Sequence, residues 1–443
     1  MALNTKVKVC EGIELLDKVP AEAQSAGNGL RVEFAGKNAL GQSDKFILTE
    51  KLLSQHLLLL GGIGSGKTNT FNQILQSLIP QMTNRDVMLI FDTKGDFYKE
   101  FYRPGDIVIS NDSTARGANG VDYWNLINEI EDDGRIDENV IEIANTLFAD
   151  KLKSSKDSFF PNAAKDIVSA ILYHFVKIKS RRQVDNFTFS NFFKTTTANE
   201  DIKSKLVSVL EMYNNFSAMK SYIPDHAKGQ SEGVIAEIQQ VIRQVFVGNF
   251  AKQGTLSLRQ LIRAKGGKRI FIEYDIGIGS MLAPIYTLMF DLAIKEALSR
   301  AKSDGNVFFV VDEFKLLPNL KHIDDAVNFG RSLGIKFMIG IQNTDQIIEA
   351  YNENMAMNIF SGFLNHFCFK VNDFSTRKYI KERGGENRKC TTFKSTTVQE
   401  SIAIANVIED WDIANLKLGE AVVMLNNASP FKFGFSEFNG RQS

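Results

Sequence analysis

Four consecutive leucines, Leu57 to Leu60, run directly into Gly61-Gly62-Ile63-Gly64-Ser65-Gly66-Lys67-Thr68. These eight residues satisfy the phosphate-binding pattern G-x-x-x-x-G-K-[ST] at every fixed position. Glycines let backbone N–H groups close around the β- and γ-phosphates, while Lys67 reaches the phosphate charge and the Thr68 hydroxyl ligates Mg²⁺. Asn69 opens the next segment, in which Phe71, Ile74, Leu75, Leu78 and Ile79 recur at helical spacing. An apolar strand before the loop and a helix after it set the positive end of a helix dipole beneath the phosphates. Gly61, Gly62, Ile63, Gly64, Ser65, Gly66, Lys67, Thr68 and Asn69 are therefore expected to hold a nucleoside triphosphate.

Short apolar strings rich in β-branched residues recur at 87–91, 106–109, 269–274, 307–311, 336–341, 366–371 and 420–425. Near-continuous apolar strands alternating with helical stretches predict an α/β fold, a mostly parallel sheet covered by helices on both faces. Residues 29–62 read as short strands and turns: 30–34 alternates, Gly36 to Gly41 turns, and 46–48 leads towards the phosphate loop. Between 129 and 261 the period becomes helical. Ile136, Val140, Ile143, Ala144 and Leu147 share one face, and comparable sets centre on Ile171, Leu206 and Ile238. Polar connections at 151–158 and 195–200 separate these sets. The predicted organisation is a β-rich extension over 1–50, a discontinuous α/β domain over 51–128 and 262–443, and an all-α insertion over 129–261.

The string at 307–311 ends in Asp312-Glu313. In a phosphate-loop NTPase the first acid holds Mg²⁺ through its water shell, and the second orients or deprotonates the attacking water. Asp312 is assigned to the metal with Thr68, and Glu313 to the water. Phosphoryl transfer also needs positive charge on the γ-phosphate, often an arginine from a neighbouring subunit. Arg331 lies between the Asp312 strand and the next, and Gln342 ends that next strand. Position alone leaves Arg331 readable as a solvated surface arginine, and Gln342 as a surface or capping amide.

With 443 residues the chain has length for two or three domains, and 44% hydrophobic with 23% charged residues are those of a globular protein. Lys+Arg and Asp+Glu both number 52, so net charge is zero and any nucleic-acid contact must come from local basic patches. Cys10, Cys368 and Cys390 suit neither a disulfide framework nor a zinc site, which fits a reducing cytosol. No signal-peptide profile opens the chain, and the longest membrane-like run, 280–290, stops at Asp291. The expected location is cytoplasmic, with any attachment to the inner membrane peripheral and through a partner.

Several blocks together resemble the type IV coupling proteins of conjugation and secretion systems, within the FtsK–HerA group of DNA-pumping ATPases. The stretch from His56 to Thr68 is similar to their histidine, strand and phosphate loop. Phe91-Asp92-Thr93-Lys94-Gly95-Asp96 resembles a D-x-K-G-[DE] signature, and Tyr123-Trp124-Asn125-Leu126 the block preceding their all-α domain. Asp312-Glu313-Phe314, Gly330-Arg331-Ser332-Leu333-Gly334-Ile335 and Ile341-Gln342 follow in the family's order and spacing. The resemblance spans roughly 50–130 and 262–430. It implies a RecA-like motor, ATP as the nucleotide, Arg331 as a finger reaching the adjacent subunit's nucleotide, and Gln342 as the γ-phosphate sensor. It further implies self-association into a hexameric ring that translocates DNA, working beside relaxase or secretion-channel proteins.

A cytosolic HerA-like DNA-processing or packaging pump and a nucleotide-gated protein adaptor are the rival readings. Three stretches offer basic side chains to a phosphate backbone: Arg259, Arg263, Lys265, Lys268 and Arg269; Lys177, Lys179, Arg181 and Arg182; and residues 377–389. His56 reads as a packed or surface histidine, Asp92, Lys94 and Asp96 as support for the site, and Trp124 as a packing anchor.

Overall fold

In the computed structural model of the chain, residues 4–111, 123–131, 134–194, 201–299, 305–394 and 398–440 are described, and the polar connection at 195–200 lies outside them. In chain order the strands are β1 (Asn4–Glu11), β2 (Arg31–Asn38), β3 (Ser43–Thr49), β4 (Leu57–Leu60), β5 (Val87–Asp92), β6 (Ile107–Ile109) and β7 (Lys268–Glu273). They continue with β8 (Val307–Val311), β9 (Ile335–Ile341), β10 (Asn365–Phe369), β11 (Glu386–Lys394), β12 (Val398–Asn406), β13 (Glu420–Met424) and β14 (Phe431–Phe435). They fall into two compact units, one of Met1–Tyr102, Arg300–Pro318 and Ile323–Ser443, the other of Arg103–Ser299 and Asn319–His322.

The first unit carries a sheet in the order β3-β2-β14-β13-β10-β4-β9-β8-β5. Pairings from β10 through β4, β9 and β8 to β5 are parallel. Every residue of β4, β5, β8, β9 and β10 is buried, as a sheet with both faces covered requires. Register then sets the site. Leu60 pairs with Ile341 and Val311 with Ile339, so the residues that follow β4, β8 and β9 emerge at one edge. Gly61, Asp312 and Gln342 are those residues.

β13, β14, β2 and β3 extend the sheet with antiparallel pairings. The apolar run at 420–425 gave no sign of this reversal, because a buried strand reads alike in either direction. Packed rings of Phe34, Phe46, Phe367, Phe433 and Phe435 fill the space against this extension. Gly36, expected in a turn, lies inside β2. A Cβ there would fall 2.0 Å from Gly434 O on β14, so glycine permits the two strands to meet. The reversal comes later, closed by Gly41 N–H donating to Asn38 O at 2.9 Å. A separate antiparallel sheet, β1-β11-β12, takes in the end of the basic stretch at 377–389, from Glu386 on.

The second unit contains the helices Ile136–Leu147, Phe159–Ile178, Asn186–Lys194, Ile202–Glu211, Lys228–Val245, Leu258–Ala264 and Gly279–Leu298. It also holds the parallel pair β6 and β7, and so is wider than the 129–261 span read from periodicity. The last helix runs through Asp291 because that carboxylate, though buried, is satisfied. It accepts the His322 backbone N–H and faces His322 Nδ1, both at 3.0 Å. No helix among the described residues is long and apolar enough to cross a membrane.

Trp124 is an anchor here, 2% exposed, with its indole N–H donating to Glu129 at 2.7 Å. Glu129 is wholly buried and also accepts from Ser257 Oγ and from the N–H groups of Leu258 and Arg259 at 2.6–3.1 Å. One carboxylate thus caps the helix Leu258–Ala264 and pins the Trp124 segment to it.

Candidate active site

The phosphate loop joins β4 to the helix Lys67–Leu78. Gly61 N–H donates to Ile341 O at 3.2 Å and Gly62 N–H to Lys370 O at 3.0 Å, which fastens the loop's entry to both neighbouring strands. Gly66 ends it at φ 116°, a conformation closed to other residues, and its missing Cβ would stand 3.0 Å from Gly419 Cα. The first helical bond of this turn is Thr70 N–H to Gly66 O at 3.1 Å. The N–H groups of Lys67, Thr68 and Asn69 precede it and lack intrahelical acceptors, which makes them anion donors.

Five of the expected residues converge. Lys67 is buried and donates through Nζ to the carbonyls of Gly61 and Gly62. Burial depresses its pKa, while the charges of Asp312 and Glu313 act in the opposite direction. Thr68 Oγ1 donates to Asp312 Oδ2 at 3.3 Å. Asp312 is 9% exposed, and its pKa is raised to about 6, first by burial and against the pull of Lys67. Gln342 donates its side-chain amide to Glu313 Oε2 at 2.6 Å.

Two polar atoms show what the site would accept. Ser65 Oγ and Glu313 Oε1 are buried without a hydrogen-bond partner among the described residues, an arrangement costly unless a ligand or water completes it. Free loop N–H groups, a hydroxyl beside a buried carboxylate and a buried lysine fit a phosphate chain with Mg²⁺.

Arg331 stands apart. It lies on the short turn Gly330–Leu333, is exposed, and its side chain makes no hydrogen bond or ion pair with any described residue. Sequence reasoning missed Lys315, whose Nζ lies 4.0 Å from Glu313 Oε1 and whose charge reaches Lys67. It also missed Gly419, which donates its N–H to Ser65 O at 3.1 Å. Lys315 follows the acidic pair by two residues and could have been noticed. Gly419 arrives from a distant strand, with no local signal.

Asp92 and His56 are both packed inside. Asp92 accepts the N–H groups of Tyr98 and Lys94 and so caps the turn after β5. His56 is buried, accepts Phe337 N–H on Nδ1 at 3.0 Å and has its pKa lowered to about 3, chiefly by burial and then by Lys336.

Most of the basic stretches are internally consumed. Arg259 is buried against Glu296, Arg263 bridges Glu131 and Glu296, and Arg269 pairs with Asp106. Lys381, Arg388 and Lys389 meet Asp410, Glu11 and Glu409, and Lys179 is bonded to the carbonyls of Ile127 and Ile130. Arg181 and Arg182 remain exposed. In the first stretch Arg259 and Arg269 are thus turned inward, while Arg263 stays half exposed.

Residues 46–424 match the family model for the type IV secretion-system coupling protein DNA-binding domain. Coupling protein TraD of Escherichia coli is 22% identical over 315 residues, 69% of this chain and 40% of TraD. Conjugal transfer protein TraG of Agrobacterium fabrum is 22% identical over 362 residues, 74% of this chain and 52% of TraG. The chain thus spans about half the length of these curated relatives. Plasmid coupling protein TrwB, solved with the ATP analogue ADPNP, superposes with a TM-score of 0.73 at 16% identity, covering 98% of this chain and 96% of that one. A further TrwB structure, with ADP and Mg²⁺, gives 0.71 at the same identity. The shared fold is the RecA-like phosphate-loop architecture that the site's own residues require.

Proposed function

Since the chain belongs to the type IV secretion-system coupling protein DNA-binding domain family, we propose that it is a Mg²⁺-dependent ATPase that assembles as a hexameric ring and moves DNA for a conjugative or type IV secretion apparatus. The observation that carries this reading is the union of Lys67, Thr68, Asp312, Glu313 and Gln342 at the ends of three adjacent strands. TrwB, its structural relative, was solved with ADPNP and with ADP and Mg²⁺, which supports the same ligands here.

In this reading the loop N–H groups and Lys67 bind the β- and γ-phosphates of ATP. Thr68 and Asp312 hold Mg²⁺, which supplies charge neutralisation to the phosphates when bound. Glu313 orients the attacking water, and Gln342 fixes the orientation of Glu313. The Arg331 side chain is exposed, has no hydrogen-bond or ion-pair partner among the described residues, and is available to the γ-phosphate held by the next copy.

The test is ATP turnover by the purified protein with and without DNA. Turnover stimulated by DNA and abolished by Lys67→Ala and by Glu313→Gln supports the proposal. Turnover indifferent to DNA in a protein that stays monomeric with nucleotide contradicts it.

A further inference from the structure

Beside the first turn of the helix Lys67–Leu78 lies a set of contacts that phosphate chemistry does not use. Asn69 donates Nδ2 to Ser436 O at 3.0 Å and accepts Phe438 N–H on Oδ1 at 2.7 Å. One turn on, Gln73 donates to the same Ser436 O at 2.6 Å. Residues 436–438 are thereby strapped along the start of the helix. Gly419, which donates to Ser65 O, also accepts Phe435 N–H at 2.9 Å, so the turn before β13 and the end of β14 are tied to each other and to the loop.

Two large apolar side chains are left in the open beside these ties. Leu418 is 78% exposed and Ile63, at the loop's tip, is 86% exposed. Leu418 belongs to a turn fixed by backbone hydrogen bonds on both sides of Gly419, so it presents a carbon surface held in place rather than a loose one. In the triphosphate reading the sugar and base must leave the phosphates on one side of the loop, and the strapped first turn with Leu418 offers fixed apolar surface there. Only this part of the ligand has an aromatic face for a leucine to cover.

We propose that Leu418 is the platform for the base of the nucleotide, with the 436–438 strap as a second wall. The proposal rests on the triphosphate reading of the loop and extends it to the other end of the ligand. A leucine offers area and no hydrogen bond, so it reads a base's face and not its edge. The site then takes purine nucleoside triphosphates with little choice between adenine and guanine.

Calorimetric titration of the full chain with ATP, GTP and inorganic tripolyphosphate, each with Mg²⁺, tests this. Leu418→Ala is expected to weaken ATP and GTP alike by about three- to tenfold and to leave tripolyphosphate within about twofold. Gln73→Ala, which loosens the strap, is expected to act in the same direction. Unchanged ATP affinity in both variants overturns the platform, as does an equal loss for ATP and tripolyphosphate. A wild-type chain preferring ATP to GTP by more than about a hundredfold also overturns it, because edge reading is then at work. Failure of the wild type to bind tripolyphosphate or ATP contradicts the phosphate loop itself, a result separate from any effect of Leu418.

Discussion

Gln342 donates its amide to Glu313 at 2.6 Å, so the acid proposed to orient water is held by the residue proposed to sense the γ-phosphate. Glu313 Oε1 has no hydrogen-bond partner among the described residues and lies 4.0 Å from Lys315 Nζ, so one oxygen is anchored and the other can take a water. Gln342→Ala removes the anchor without touching the phosphate donors. Steady-state kinetics are expected to show kcat reduced by about 10²-fold, with KM for ATP within about threefold of wild type. A rise in KM with kcat unchanged would mean that Gln342 contacts the ground-state nucleotide instead.

Proton competition governs the metal. Burial raises the Asp312 pKa to about 6, above its ordinary value of 3.8. The protonated form is therefore favoured in the folded chain, so this carboxyl contributes stability below pH 3.8 that is lost as pH rises through about 6. Metal binding needs the carboxylate and runs the other way. Apparent Mg²⁺ affinity in the presence of nucleotide is expected to fall about tenfold per unit below pH 6 and to level off above it. Asp312→Asn should flatten that profile, and titration across pH 5–8 measures it.

The helical unit depends on a buried carboxylate. Glu129 receives Trp124, Ser257 and two backbone N–H groups, and Arg259 bonds both its backbone carbonyl and Glu296. Glu129→Ala leaves those four donors buried without acceptors, while the Arg259 guanidinium keeps the backbone carbonyl and Glu296. A loss of about 3–5 kcal/mol in unfolding free energy is expected from the unsatisfied donors. Denaturant titration followed by Trp124 fluorescence in a Trp411→Phe background reads this unit alone.

His322 gives the same unit a pH dependence of known sign. Burial lowers its pKa, but the hydrogen bond and charge of Asp291 and the charge of Glu142 outweigh both burial and the opposing Lys295, and the group ends raised. A raised histidine contributes fully below pH 6.5 and loses its contribution as pH climbs through the folded value. Wild type is therefore expected to lose more melting temperature than His322→Gln between pH 6 and pH 9. Equal losses in calorimetric scans would contradict the ion pair.

The parallel core was legible because strands buried on both faces are apolar throughout, and β4, β5, β8, β9 and β10 all read that way. Asp312 and Gln342 could be brought to Thr68 because each directly follows such a strand, and Thr68 ends the motif loop that follows another. The basic residues were not legible. Whether Arg259 faces water or Glu296 is decided by a helix 37 positions away, and no local pattern encodes it. Gly419 and the 436–438 strap escaped for the same reason, since strand direction and long-range backbone bonds leave no periodic trace. Gly36 misled because a glycine that permits close approach looks like a glycine that turns.

The central claim is that each catalytic centre is completed by Arg331 of an adjacent copy, and mixing two inactive variants tests it most directly. Arg331→Ala and Glu313→Gln are each expected to retain about 1% or less of wild-type turnover with DNA. Co-assembled in equal amounts, they place an intact Glu313 beside an intact Arg331 at roughly one interface in four, so recovery to about a quarter of wild-type activity is expected. A mixture no more active than either variant alone, or an Arg331→Ala protein as active as wild type, contradicts the shared site.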